Sequence, residues 1–121
     1  MKELTTDIGK KHEDEAADYL KKLKYKIIEQ NFKFLPIGEI DIIAKDKNTF
    51  VFVEVKYRKT KEFGTPAEFV TKSKQNKVIK TALCYIKQNK IKADIRFDVV
   101  SICDTKIEHI KNAFCPENYF F

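Results

Sequence analysis

The chain is poor in the residues that build disulfide frameworks and zinc sites. Its three cysteines, Cys84, Cys103 and Cys115, are odd in number and form no C-x-x-C pair. They read as small buried hydrophobes of a reducing compartment. The two histidines, His12 and His109, stand far apart without zinc-type partners nearby, which argues against zinc. No stretch approaches the roughly 18 apolar residues of a membrane span. The opening Met1-Lys2-Glu3-Leu4-Thr5-Thr6 lacks the apolar core of a signal peptide. A soluble cytoplasmic protein with no membrane partner is expected. A Gly-Lys-Ser/Thr phosphate loop and a G-x-G-x-x-G turn are both missing, so nucleotide-driven chemistry is not expected. Neither internal repeats nor low-complexity tracts occur.

What remains is a short, densely charged chain. Its 121 residues suit one domain spanning residues 1–121. A hydrophobic content of 43% supports an ordinary core. Lys and Arg number 24 against 18 Asp and Glu, for a net charge of +6. A moderate basic excess suits a polyanionic partner, most simply nucleic acid, although it also serves plain solubility.

Two acidic strings carry the chemistry: Gly38-Glu39-Ile40-Asp41-Ile42-Ile43 and Phe52-Val53-Glu54-Val55-Lys56. Each alternates charged and apolar residues, as a half-buried strand does. Asp46-Lys47-Asn48-Thr49 between them reads as a tight turn, with Asn48 suited to a left-handed backbone. The hairpin then sets Asp41 opposite Glu54 and Glu39 opposite Lys56. Its other face holds Ile40 with Val55, Ile42 with Val53, and Ala44 with Val51, and belongs against a core. An exposed salt-bridged face would account for Glu39 with Lys56. It would not account for Asp41 facing Glu54, because facing Cβ atoms lie roughly 4.5–5.5 Å apart and like charges there repel. A cation between them removes the conflict. Mg²⁺ takes one or two carboxylates and keeps water and phosphate oxygens as its other ligands.

A first helix is predicted from a cap at Thr6 or Asp7 to about Lys24, with Ile8, His12, Ala16, Tyr19, Leu20 and Leu23 at helical spacing. Glu13 borders this stripe, where it is either solvated or aimed at the sheet. Gly9 lies one turn before it and calls for a close backbone neighbour or a late helix start. Tyr25–Phe34 reads as a strand. The polar, basic stretch from Arg58 to Pro66 reads as a loop leaving the charged end of the hairpin. A second helix is predicted from about Lys72 to Gln88, with a basic flank of Lys72, Lys74, Lys77 and Lys80. Asp94–Ile102 alternates as a strand, and Lys106–Ile110 adds a short edge strand. The tail Asn118-Tyr119-Phe120-Phe121 could dock on the domain or on a partner chain. Helix, three strands, helix, and one or two strands make an α/β layer: a mixed β-sheet of four to five strands flanked by helices.

An ordered series runs along nearly the whole chain: Gly9-x-x-x-Glu13-x-x-Ala16, Tyr19-Leu20, Asn31, Gly38-Glu39-Ile40-Asp41-Ile42-Ile43, Val53-Glu54-Val55-Lys56-x-Arg58, Phe63-Gly64-x-Pro66, Lys74-Gln75, Ala82 and Arg96-Phe97-Asp98-Val99-Val100. In this it resembles the small bacterial YraN-like family, assigned to the restriction-endonuclease-like superfamily near the archaeal Holliday-junction resolvases. The resemblance implies a restriction-endonuclease-like core. It implies that Asp41, Glu54 and Lys56 fill the superfamily's Asp…(Asp/Glu)-x-Lys positions. It further implies that the Val55 carbonyl completes a metal shell, that Glu13 matches a helix-one glutamate, and that Lys74 or Gln75 matches a polar residue of the next helix. Ile40 stands where the older motif form has proline.

The resulting expectation is a Mg²⁺-dependent DNA nuclease, with Mn²⁺ as a substitute metal. Asp41 and Glu54 would hold the ion, with Glu13 joining directly or through water. Lys56 would act as base or as a cationic donor to the transition state. Arg58, Lys59, Lys61, Lys74 and Gln75 would meet the nucleic acid. Branched DNA and a homodimer follow from the resolvase-like resemblance. A binding module of the same fold without turnover is the second reading, and a scaffold that docks by its aromatic tail is the third.

Overall fold

The computed structural model describes residues 2–58 and 70–116, with side chains from Ile8 onward in the first helix. The elements are α1 (Lys2–Lys22), β1 (Lys26–Phe34), β2 (Gly38–Asp46), β3 (Thr49–Arg58), α2 (Lys72–Gln88), β4 (Ile95–Cys103) and β5 (Lys106–Ile110). The strands form one sheet in the order β1-β2-β3-β4-β5. β3 and β4 are parallel, and every other neighbouring pair is antiparallel. A parallel step needs a crossover connection, and α2 lies within it. The mixed sheet and both helices therefore agree with the predicted layer.

Two differences are local. α1 starts at Lys2 instead of being capped at Thr6 or Asp7, because Thr and Asp cost a helix interior only tenths of a kcal/mol and do not stop it. In the β2–β3 turn the left-handed backbone falls on Lys47 (φ 56°) and not on Asn48. Elsewhere the local signals hold. The Thr71 hydroxyl accepts the Lys74 amide at 3.1 Å and caps α2, supplying one of the orphan donors of a helix start.

Both faces of the sheet are covered. Ala16, Ala17 and Leu20 of α1 pack on Ile42, Ala44, Val51, Val53, Val100 and Ile102. Val78, Ile79, Ala82 and Tyr85 of α2 pack on Ile43, Phe52, Phe97 and Val99. Close approach of α2 explains one glycine: a Cβ on Gly38 would stand 2.9 Å from Thr81 Oγ1. The cysteines divide. Cys103 is buried, Cys84 half-buried and Cys115 exposed, and all three are free thiols. Only Cys103 fits the expected small buried hydrophobe. Among the described residues no helix is long and apolar enough to cross a membrane.

A polar network threads the α1 face. Asp98 is fully buried, yet all its lone-pair directions are engaged. Oδ1 accepts from Arg96 Nε (2.9 Å) and the Asn112 amide (2.9 Å); Oδ2 accepts from Arg96 Nη2 (3.0 Å) and His109 Nε2 (2.7 Å). Arg96 also donates to Asp46 (3.2 Å) and to the Tyr25 hydroxyl (2.7 Å). Burial alone would raise the Asp98 pKa, but the donors from His109, Arg96 and Asn112 outweigh it and hold it below the ordinary value. Asp98→Asn should cost about 3–5 kcal/mol in urea unfolding at pH 7, the range for breaking a buried ion pair. Because the folded pKa is lowered, this stability is present above the unfolded value of about 3.9 and fades as pH falls through the folded one. The wild-type advantage should therefore shrink below about pH 4. A loss under about 1 kcal/mol at pH 7 would show that the network carries no stability beyond a surface ion pair.

Candidate active site

The site begins where two strands part. β2 and β3 pair from Asp46↔Thr49 to Ile42↔Val53, in the predicted register, and the ladder stops there. At the next position the Asp41 carboxylate takes over: its Oδ2 accepts the Val55 amide at 2.9 Å. A side chain thus satisfies a backbone donor that a continuing sheet would have satisfied with a carbonyl. Side-chain alternation breaks at the same residue. Ile40 and Ile42 lie two apart and should share a face, yet Ile40 packs under α2 and Ile42 under α1. On β1, Asn31 stands between the partners of Ile40 and Ile42 and has a left-handed backbone (φ 55°).

This overturns part of the expected hairpin face. Ile40 does not share a face with Val55, which packs on the α1 side. Glu39 is exposed and pairs with Lys33 of β1; it does not face Lys56. The reason is the break at Asp41, which a strict two-residue period cannot represent.

β3 itself stays regular beside β4 through Arg58. Glu54 and Lys56 therefore project on the α2 face, and Val55 and Tyr57 on the α1 face. Glu54 is 1% exposed, and among the described residues neither of its oxygens accepts a hydrogen bond. Lys74, from the first turn of α2, brings Nζ to 3.3 Å of Glu54 Oε1, an ion pair without hydrogen-bond geometry. Burial first, and the Asp41 charge second, push the Glu54 pKa well above the carboxylate range, with Lys74 opposing. Burial would lower the pKa of Lys74, but Glu54, Asp41 and Glu39 outweigh it and raise it, so Lys74 remains an ammonium. Lys56 is half-buried and makes no ion pair or hydrogen bond among the described residues.

From the other face, α1 delivers Glu13. It is buried, and its Oε1 has no hydrogen-bond partner among the described residues. Burial, then the charge of Asp41, raises its pKa to about 7. Glu13 and Asp41 line a groove of about 310 Å³ with Ile8, Gly9, His12, Val55 and Tyr57. Glu13 and Glu54 thus flank Asp41 from opposite faces of the sheet, through the gap between β2 and β3. Among the described residues, no three His, Cys, Asp or Glu side chains gather closely enough to hold a metal ion by themselves. Mg²⁺ does not require three; one or two carboxylates suffice when water and phosphate complete its shell. Buried carboxylate oxygens without donors, beside a further carboxylate, are what such an ion would satisfy.

The family sequence model described as "Uncharacterised protein family UPF0102" matches residues 12–102. The chain belongs to the UPF0102 family. A UPF0102 protein of Thermodesulfovibrio yellowstonii is 52% identical over 108 residues, covering 89% of this chain and 96% of the relative. One from a Sulfurihydrogenibium species is 46% identical over 113 residues, covering 93% and 97%. A third, from Francisella tularensis subsp. novicida, is 46% identical over 112 residues, covering 91% and 96%. The five-stranded mixed sheet with its two helices is consistent with the restriction-endonuclease-like core that the YraN-like resemblance implied.

In this UPF0102 protein the expected nucleic-acid contacts fare unevenly. Lys74 pairs with Glu54 and also lines an open groove with Lys33 and Lys77. Gln75 donates its side-chain amide to the Val70 carbonyl at 2.9 Å, so it helps anchor the start of α2. Arg58 is largely buried, 3.7 Å from Glu108 of β5. Lys59, Lys61 and the aromatic tail lie outside the described residues. One further feature of the UPF0102 site escaped the sequence, and the structural network beside it did not. The Tyr57 ring stacks on His12 with centroids 3.8 Å apart, and nothing in the local pattern pairs those residues. The Arg96–Asp98 pair did leave a signal: opposite charges two apart on a strand share one face.

A raised folded pKa means that stability is fully present below the unfolded value and is lost as pH rises through the folded one. For Glu13 that window runs from about 4.3 up to about 7. Without metal, Glu13→Gln should therefore match wild type in thermal melts at about pH 4, below that window. At pH 8.5 it should be more stable by on the order of 1 kcal/mol. A lower melting temperature than wild type at pH 8.5 would refute the burial-driven shift.

Proposed function

We propose that this UPF0102 protein is a divalent-metal-dependent nuclease that hydrolyses phosphodiester bonds in DNA. The observation that carries the reading is a pair of buried glutamates beside Asp41: Glu13, whose Oε1 lacks a hydrogen-bond donor among the described residues, and Glu54, both of whose oxygens do. Stability alone gives no reason to keep them, since their charged forms are penalised. Asp41 and Glu54 would hold Mg²⁺, or Mn²⁺ in its place. The Val55 carbonyl would complete the shell, and Glu13 would join directly or through water. When bound, the ion supplies polarisation of a phosphoryl oxygen and an acidified water.

The rest of the chemistry belongs to the side chains. Asp41 is held in place by the Val55 amide, so its carboxylate is oriented before any ligand arrives. Lys56, on the same face as Glu54, would present its Nζ either to take a proton from the attacking water or to donate to the phosphate oxygens. Lys74 would keep Glu54 turned toward the gap and lend one positive charge to an incoming phosphate. The net charge of +6 favours a polyanion. Branched DNA and a homodimer belong to the same proposal, on the strength of the resolvase-like resemblance.

A second reading has one observation in its favour. Glu54 already has a cationic partner in Lys74, and no three-ligand group exists among the described residues. That arrangement also suits a DNA-binding module without turnover. Cleavage assays on duplex, branched and single-stranded DNA with Mg²⁺ and Mn²⁺ separate the two. The nuclease should lose at least about 100-fold in rate in Asp41→Asn and in Lys56→Ala. Calorimetry should show Mg²⁺ binding that Asp41→Asn abolishes. A protein that cuts none of these substrates, yet binds them with salt-dependent affinity surviving Asp41→Asn, is the module.

A further inference from the structure

The α1-side groove has features that metal binding leaves unexplained. Its outer wall is an aromatic platform: Tyr57 stacks on His12 at 3.8 Å with the planes 13° apart. His12 fixes the tilt of the ring and covers one face, while Tyr57 remains 43% exposed. Ile8, 47% exposed, adds apolar surface to the same groove. Gly9 is the second feature. It stands inside α1, where Ala would be more stable by roughly 1 kcal/mol. Neither expected reason for it applies. The helix starts well before it, and among the described residues a Cβ built there meets nothing within 4 Å. Among the described residues nothing fills the space above this helical glycine, inside the groove.

We infer that the groove seats one unpaired nucleotide of a DNA strand, its base stacked on Tyr57 and its backbone passing Gly9 toward Asp41 and Glu13. The inference deepens the nuclease reading and rests on it for the choice of DNA. A base within a duplex is stacked on both faces and cannot offer a face to a recessed ring, so the nucleotide must be unpaired. Substrates with single-stranded, frayed or branched segments beside the cut are thereby preferred to continuous duplex. Aromatic stacking is tolerant of base identity, so no sequence preference is expected from this contact.

The test reads binding, in EDTA, apart from cleavage. A single-stranded oligonucleotide carrying 2-aminopurine is titrated with wild type, Tyr57→Phe, Tyr57→Ala and Gly9→Ala, beside a duplex control. Wild type and Tyr57→Phe should quench the fluorophore. Tyr57→Ala should lose the quench and about tenfold in single-strand affinity, with duplex affinity unchanged. Gly9→Ala should melt at a higher temperature than wild type and still bind single strands more weakly, a combination that a purely structural glycine would not give. No quench by wild type, or unchanged single-strand affinity in Tyr57→Ala or Gly9→Ala, overturns the inference. Metal-dependent duplex cleavage without quenching would sink this inference alone. Quenching without cleavage of any substrate would sink the nuclease reading and leave the stacking seat standing.

Discussion

The hydrogen bond from the Val55 amide to the Asp41 carboxylate is the contact on which the rest of the site depends. It ends the β2–β3 ladder, so the two strands separate without leaving a buried donor unpaired. The separation opens a gap in a sheet that is otherwise covered on both faces. Glu54 enters from the α2 side and Glu13 from the α1 side, and Asp41 stands between them. A continuous ladder would have kept the two faces apart.

Two buried carboxylates on neighbouring strands show what distinguishes a structural charge from a poised one. Asp98 of β4 and Glu54 of β3 are both sealed from solvent. Asp98 accepts four hydrogen bonds, two of them from a guanidinium, and its pKa falls. Glu54 accepts none, has one ammonium nearby, and its pKa rises. The first arrangement adds stability to the α1 face. The second costs stability whenever Glu54 is ionised; Lys74 offsets part of that cost, and a proton or a further cation would remove the rest. Net burial is the same, so the difference lies in how completely the lone pairs are met. Perturbation by desolvation beside a specific like charge is a pattern that marks candidate functional sites.

Much of the architecture was legible because it follows from local periodicity. The bounds of α2, the register of the hairpin next to its turn, and the edge strand β5 are each set by neighbours within a few residues: a Thr71 cap, a two-residue turn, strict alternation. Legibility failed where a distant residue decides. Alternation predicts that Ile40 and Ile42 share a face, and it fails because the Asp41 side chain, instead of a backbone carbonyl, meets a β3 amide. Lys74 reads as one of several lysines on a solvated flank until α2 is laid across the sheet beside Glu54. His12 reads as a member of an apolar stripe until β3 brings Tyr57 under it. Gln75 and Arg58, which looked available to a ligand, turn out to be engaged with Val70 and Glu108.

The sequence by itself determined the kinds of element, their order, the mixed α/β layer, the basic character and the identity of the acidic residues. These depend on composition and on spacings of two and three to four, which any stretch of chain carries with it. Tertiary structure alone decided that Glu13 and Glu54 each come beside Asp41, one on either face of the sheet, that Asp98 is satisfied while Glu54 is not, and that Tyr57 has an aromatic support in the groove that Gly9 lines. Each of those outcomes is a relation between segments far apart in the chain. Burial and mutual charge, which set their energies, do not exist until the helices close over the two faces of the sheet.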